Sequence, residues 1–131
     1  MSGYRHWRID EDSDRLVWLT LDKQDSSTNT LSTAVLEEFD RALDDVVSLQ
    51  PGGLVIRSGK PGGFAAGADV REFLDIKNGE DAKRMVRGGW EPFNKLERLL
   101  FPTVALIDGF CMGGGLELAL ACRYRVAVDD P

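Results

Sequence analysis

The sequence has little with which to build anything but a packed core. It carries two cysteines in 131 residues, Cys111 and Cys122, too few for a disulfide framework or a four-thiolate metal site. With one histidine, His6, beside them, reduced thiols in a cytoplasmic setting are the simplest expectation. No apolar run approaches the ~20 residues that a membrane span needs. The first fourteen residues have no apolar core and bear Asp10, Glu11, Asp12 and Asp14, unlike a signal or transit peptide. Positive charge is short as well: 16 Lys and Arg face 22 Asp and Glu, a net charge of −6. Without a basic excess to displace counterions, a nucleic-acid backbone is excluded as partner, although a local basic pocket for one anionic ligand remains allowed.

What is present is ordinary in bulk. Apolar residues at 43% and charged residues at 29% exclude a disordered chain, and the length suits one domain. Glycine is the exception. There are 14, gathered in Gly52–Gly67, Gly88–Gly89 and Gly109–Gly115.

Arg15–Leu21 (RLVWLTL) is apolar on both faces and reads as a buried strand. Asp22–Thr30 is a polar loop. Thr33–Val47 is predicted helical, with Val35, Leu36, Phe39, Leu43, Val46 and Val47 on one stripe, Ser32 as N-cap and Leu31 with Leu36 as a hydrophobic staple. Pro51-Gly52-Gly53 breaks it before a short strand, Leu54–Ile56. Ser58–Gly67 is too glycine-rich for regular structure, and Val70–Leu74 reads as a helical turn. Glu80–Leu100 is helical by pattern, weakened or kinked by Gly88-Gly89 and Pro92. Thr103–Ile107 is a buried strand, Gly115–Ala121 a short apolar helix and Tyr124–Val128 a last, buried strand. Strands alternating with helices predict an α/β fold with parallel strands. Trp7, Trp18 and Trp90 are expected in the core and His6 at the surface. Arg71, Lys83, Arg84 and Arg87 read as a solvated helix face. The abrupt Asp129-Asp130-Pro131 ending suggests a piece of a longer protein.

The strongest local signal is Asp108–Glu117 (DGFCMGGGLE), which follows a buried strand and opens a helix. Glycines there let a ligand approach the backbone, and the free N–H groups and the helix dipole favour an anion or oxyanion. Glu117 sits in the first turn, where a carboxylate beside an oxyanion site can act as a base. The same pattern also serves plain packing, with the glycines closing helix onto strand and Glu117 capping its own helix. A dinucleotide fingerprint fails for want of the third glycine, and a P-loop for want of Gly-Lys-Ser/Thr. Gly109–Gly113 fits a cysteine nucleophile elbow at Cys111, but no histidine follows it to serve as base. Cys111 and Cys122 otherwise read as small packed residues. A second bend, Gly62–Val70 (GGFAAGADV), also follows a strand. Together the two bends offer converging N–H groups for one oxygen, as acyl-transfer or enolate chemistry requires.

At Phe64–Phe73 (FAAGADVREF) and Val104–Ala121 (VALIDGFCMGGGLELALA) the sequence resembles the enoyl-CoA hydratase/isomerase (crotonase) superfamily. The Asn-Thr-Leu at 29–31 looks most like the N-terminal hydratase part of multifunctional fatty-acid oxidation α-subunits. The resemblance implies an α/β crotonase-type right-handed spiral of strand-strand-helix units, of which residues 1–131 would be the truncated N-terminal part. It implies an oxyanion hole from the Ala68 and Gly114 N–H groups, with Glu117 as the first catalytic glutamate. Ala66, Ala68, Asp69, Val70 and Gly114 would contact an acyl-CoA substrate. Neither a metal nor a cofactor is implied for hydration, whereas NAD would serve a dehydrogenase part further along a multifunctional, oligomeric parent. The family's second glutamate would fall after Pro131, so the 131-residue chain alone is expected to be nearly inactive. The related readings are a Δ3–Δ2 enoyl-CoA isomerase and a non-catalytic acyl-CoA-binding segment.

Overall fold

A computed structural model describes residues 3–67 and 77–129, with side chains at 85–90 left aside. The chain runs β1 (Trp7–Glu11), β2 (Leu16–Leu21), α1 (Thr33–Ser48), β3 (Gly53–Ser58), β4 (Gly63–Ala65), α2 (Gly79–Glu97), β5 (Thr103–Ile107), β6 (Phe110–Cys111), α3 (Gly114–Ala121) and β7 (Tyr124–Ala127). A five-stranded sheet has the order β1-β2-β3-β5-β7, with β1 antiparallel to β2 and the other neighbours parallel. A separate two-stranded parallel sheet pairs β4 with β6. β5, β6 and α3 therefore form a strand-strand-helix unit, and β3 with β4 repeats its first two parts one strand over in the same two sheets.

The helices cover one face of the large sheet. Val17, Leu19, Leu54, Ile56 and Ala105 meet Val35, Phe39, Ala42, Leu43 and Val46 of α1, Leu96 of α2 and Leu118 of α3 in one buried cluster. α1 starts where Ser32 Oγ accepts the Val35 N–H at 3.2 Å. Phe39 anchors the middle, stacked on Trp7 at 4.8 Å between centroids and met edge-on by Phe93 at 6.5 Å. On the opposite face Trp18 is half-buried rather than core, and the Arg57 guanidinium lies 4.7 Å from its ring centroid.

The N-terminal segment departs most from expectation. Trp7 and Ile9 alternate inward, so residues 7–11 become an edge strand despite their acidic neighbours. His6 is buried, not superficial. Its Nδ1 accepts the Gln24 N–H at 3.1 Å, and Glu38, buried beside it on α1, accepts the Arg5 and His6 N–H groups at 2.8 and 3.0 Å. Glu38 thus takes an inward place on α1, while Val47 turns out to solvent.

Elsewhere the corrections are smaller. α2 continues through Gly88-Gly89 and Pro92 as one helix and ends at Glu97. β4 and β6 fall where loop and turn were expected; strands of three and two residues carry too little alternation to read. β7 is exposed along its length, because it is the outer strand of the sheet. The predicted turn at 70–74 and Trp90 lie outside the described residues and side chains.

Phe39→Ala should cost about 3–5 kcal/mol in urea-induced unfolding, the range for deleting a buried aromatic. A loss below about 1 kcal/mol would place the centre of the core elsewhere.

Candidate functional site

The site begins at the N-terminus of α3. β5 delivers the chain through residues 108–109 into β6, and Gly113 then turns it at φ +53, a conformation that favours glycine. Gly113 is the N-cap and offers no side chain to the first helical turn. The Gly115 N–H donates to Met112 O at 2.9 Å and the Glu117 N–H to Gly113 O at 3.1 Å. Among the described residues the Gly114 N–H has no acceptor. It stands at the positive end of the helix dipole, and Glu117 follows it by three residues, on the same side of the helix and exposed to solvent.

The second bend reaches the same place. Ala65 O accepts the Met112 N–H at 3.2 Å, and a methyl group on Gly115 would lie 2.2 Å from that carbonyl oxygen. Only the missing side chain lets β4 rest on the first turn of α3. Two residues on, a methyl group on Gly67 would lie 3.5 Å from the Gly114 nitrogen and 3.7 Å from Gly113 Cα. The two glycine bends, distant in sequence, touch backbone to backbone.

A third segment, noted in the sequence only for its resemblance at Asn-Thr-Leu 29–31 and given no place at the site, binds them. The Ala66 N–H donates to Asn29 O at 2.8 Å and the Leu31 N–H to Gly67 O at 3.0 Å. Lys60 fixes the loop leading into this strap. Its Nζ donates to Asp22 Oδ1, Lys23 O and Ser26 O at 2.8, 2.7 and 2.7 Å. The Lys60 hydrogen bond, helped by the charges of Lys60 and Arg8, holds the Asp22 carboxyl below the usual carboxylate range against the opposing effect of burial. The signal available in the sequence was the polar, strand-ending stretch itself, but nothing in it pointed to a tertiary partner.

Of the residues expected at the site, Gly114 and Glu117 share the first turn of α3, and the half-buried Ala66 lies in the facing bend. Ala68, Asp69 and Val70 lie outside the described residues, directly after Gly67. The cysteine elbow finds no support. Burial raises the Cys111 thiol above its ordinary value, opposite to the activation a nucleophile needs, and His6 is engaged by Gln24. Cys122 is buried and pushed up to about 12, first by desolvation. An open cleft of about 320 Å³ lies past the C-terminal ends of β3, β5 and β7, lined by Arg57, Lys60, Asp108 and Val126 among others; Gly67, Gly114 and Glu117 do not line it.

With this geometry in view, the likenesses are specific. The family model described as enoyl-CoA hydratase/isomerase matches residues 11–131. The fatty acid oxidation complex subunit alpha of Aliivibrio fischeri is 44% identical over 122 residues, covering 92% of this chain and 18% of that protein. The same subunit from Shewanella baltica is 44% identical over 118 residues, covering 89% and 17%. Among solved structures, an enoyl-CoA hydratase from Bacillus anthracis aligns with a TM-score of 0.83 at 29% identity, covering 93% of this chain and 47% of its own. A probable enoyl-CoA hydratase/isomerase from Mycobacterium abscessus gives 0.80 at 28%, covering 95% and 47%. The chain thus spans less than a fifth of the oxidation subunits and about half of the hydratase chains that it matches.

Two outcomes test this construction. Gly115→Ala should lower stability by about 1–3 kcal/mol through overpacking against Ala65, read by thermal or urea unfolding; an unchanged midpoint would show that β4 is not seated on α3. Lys60→Met should cost about 1–2 kcal/mol at pH 7. Because the Asp22 pKa is depressed on folding, the Asp22–Lys60 contribution is present above the unfolded value of about 3.9 and is lost as pH falls through the lower folded value. The gap between the two proteins should therefore narrow on acidification, without closing, since Lys60 keeps its two carbonyl acceptors. A gap independent of pH would remove Asp22 from the anchor.

Proposed function

The chain belongs to the enoyl-CoA hydratase/isomerase family, and from that premise we propose that it is the N-terminal part of a hydratase module of fatty-acid β-oxidation, acting on trans-2-enoyl-CoA thioesters. The observation that carries this reading is the meeting of Gly67 with Gly114 beside the first turn that holds Glu117. In the proposed reaction the thioester oxygen accepts the Gly114 and Ala68 N–H groups. As the oxygen of a water molecule bonds to C3, the electron pair of the double bond moves toward the carbonyl, and the two amides stabilise the enolate charge on that oxygen. A proton then bonds to C2 and the carbonyl reforms, giving a 3-hydroxyacyl-CoA. Glu117 orients the water or takes its proton, and a second acid–base group shares the proton transfers. The family pattern puts that group further along the chain than Pro131. Ala66, Asp69 and Val70 would line the CoA side of the site. The step uses side-chain and backbone groups alone, with the CoA thioester as substrate.

The likeness to long oxidation subunits supports a wider proposal. This segment would open a multifunctional, oligomeric, cytoplasmic polypeptide whose later part holds an NAD-dependent 3-hydroxyacyl-CoA dehydrogenase. No helix among the described residues is long and apolar enough to cross a membrane.

In the full-length natural protein, Glu117→Gln should lower the kcat for crotonyl-CoA hydration by about 10²–10⁴-fold while acyl-CoA still binds by calorimetry. Wild-type turnover in that variant would remove Glu117 from the chemistry. Binding without any turnover in the wild type would favour the acyl-CoA-binding reading, and conversion of 3-enoyl-CoA without hydration the isomerase. Residues 1–131 alone should hydrate crotonyl-CoA near background; robust hydration would show that no second carboxylate is required.

A further inference from the structure

Asn29 is 1% exposed, and both ends of its side-chain amide are used. The two hydrogens on Nδ2 are shared among three acceptors: Leu21 O at 3.0 Å, Ser58 Oγ at 2.9 Å and Phe64 O at 3.0 Å. Oδ1 accepts the Lys23 N–H at 3.0 Å. One side chain therefore ties together the ends of β2 and β3 and the middle of β4, and the main-chain carbonyl of Asn29 accepts the Ala66 N–H. Two residues later Leu31 grips Gly67 through its N–H and covers Gly114 with its side chain, where a methyl group on Gly114 would come 3.1 Å from Leu31 Cδ1. Residues 29–31 are thus in contact with both bends at once.

We propose that Asn29 is the positioning residue of the site, setting the separation between the turn at residue 67 and the Gly114 N–H. The proposal rests on the reading that a thioester oxygen binds between those bends. Asn29 is anchored to β2, β3 and β4 and acts through the Ala66–Gly67 backbone. An aspartate has the same shape but no donor. It would turn oxygen lone pairs toward Leu21 O and Phe64 O, so the β4 end would move away from the strap. Oxyanion stabilisation is steep in distance, and the effect should therefore fall on the transition state more than on binding.

The test uses the full-length natural protein with cinnamoyl-CoA, a conjugated enoyl thioester whose absorption band moves to the red when its carbonyl oxygen is polarised. Asn29→Asp, shown to be folded by circular dichroism, should lose about half or more of the bound-probe red shift. Its kcat should fall about 10–100-fold, with KM changed only a few-fold. Ser58→Ala removes one acceptor and should shift both readouts in the same direction by less. A folded Asn29→Asp with wild-type red shift and kcat overturns the proposal; if that variant does not fold, wild-type values in Ser58→Ala overturn it. A wild-type protein with neither red shift nor hydration would instead overturn the oxyanion reading itself, and the proposal with it.

Discussion

Everything at the site depends on two stretches of backbone lying against each other with no side chain between them. Ala65 accepts the Met112 N–H and lies against Gly115, and Gly67 faces Gly113 and Gly114, because the glycines put no side chain in the gap. At Gly115 there is no room for even one added methyl group, which would lie 2.2 Å from Ala65 O. At the same turn the Gly114 N–H has no acceptor among the described residues, so the packing and the candidate oxygen site arise from one feature.

Glycine contact by itself holds nothing in place, since it buries little apolar surface. The holding force is polar and comes from the strap between β2 and α1. Lys60 pairs with Asp22 and the Lys23 and Ser26 carbonyls, Asn29 binds the carbonyls of Leu21 and Phe64, and among the described residues no buried side-chain polar atom lacks a partner. Such a network is costly when half made and specifying when complete. Glu38 plays a comparable part next to this group, beyond His6, where it receives two main-chain N–H groups and binds the N-terminal segment to α1.

Legibility followed length and period. α1 was readable because sixteen residues repeat a stripe and Ser32 caps it. β3 and β5 were readable as short apolar runs between turn signals. β1 was obscured by its acidic content, since two inward residues, Trp7 and Ile9, are too few to outweigh Asp10 and Glu11. The exposure of β7 could not be read either, because an apolar strand looks the same in the middle of a sheet and at its rim. Of the candidate site, Gly114 and Glu117 stood out through a strand-to-helix glycine pattern, whereas Asn29 stood out only as part of a family-like Asn-Thr-Leu in a polar loop, with no local sign of its partners.

The sequence by itself determined the α/β order, the helix cap at Ser32, the glycine bends and the likeness to the hydratase/isomerase family, because each is written in local pattern or contiguous motif. Only the tertiary structure decided that the bends face each other, that β4 and β6 pair, that His6 and Glu38 are buried and that a loop amide joins three strands. Those facts concern residues brought together across long stretches of chain. Which groups meet there is settled by the packing of the whole, to which no local run of residues gives access.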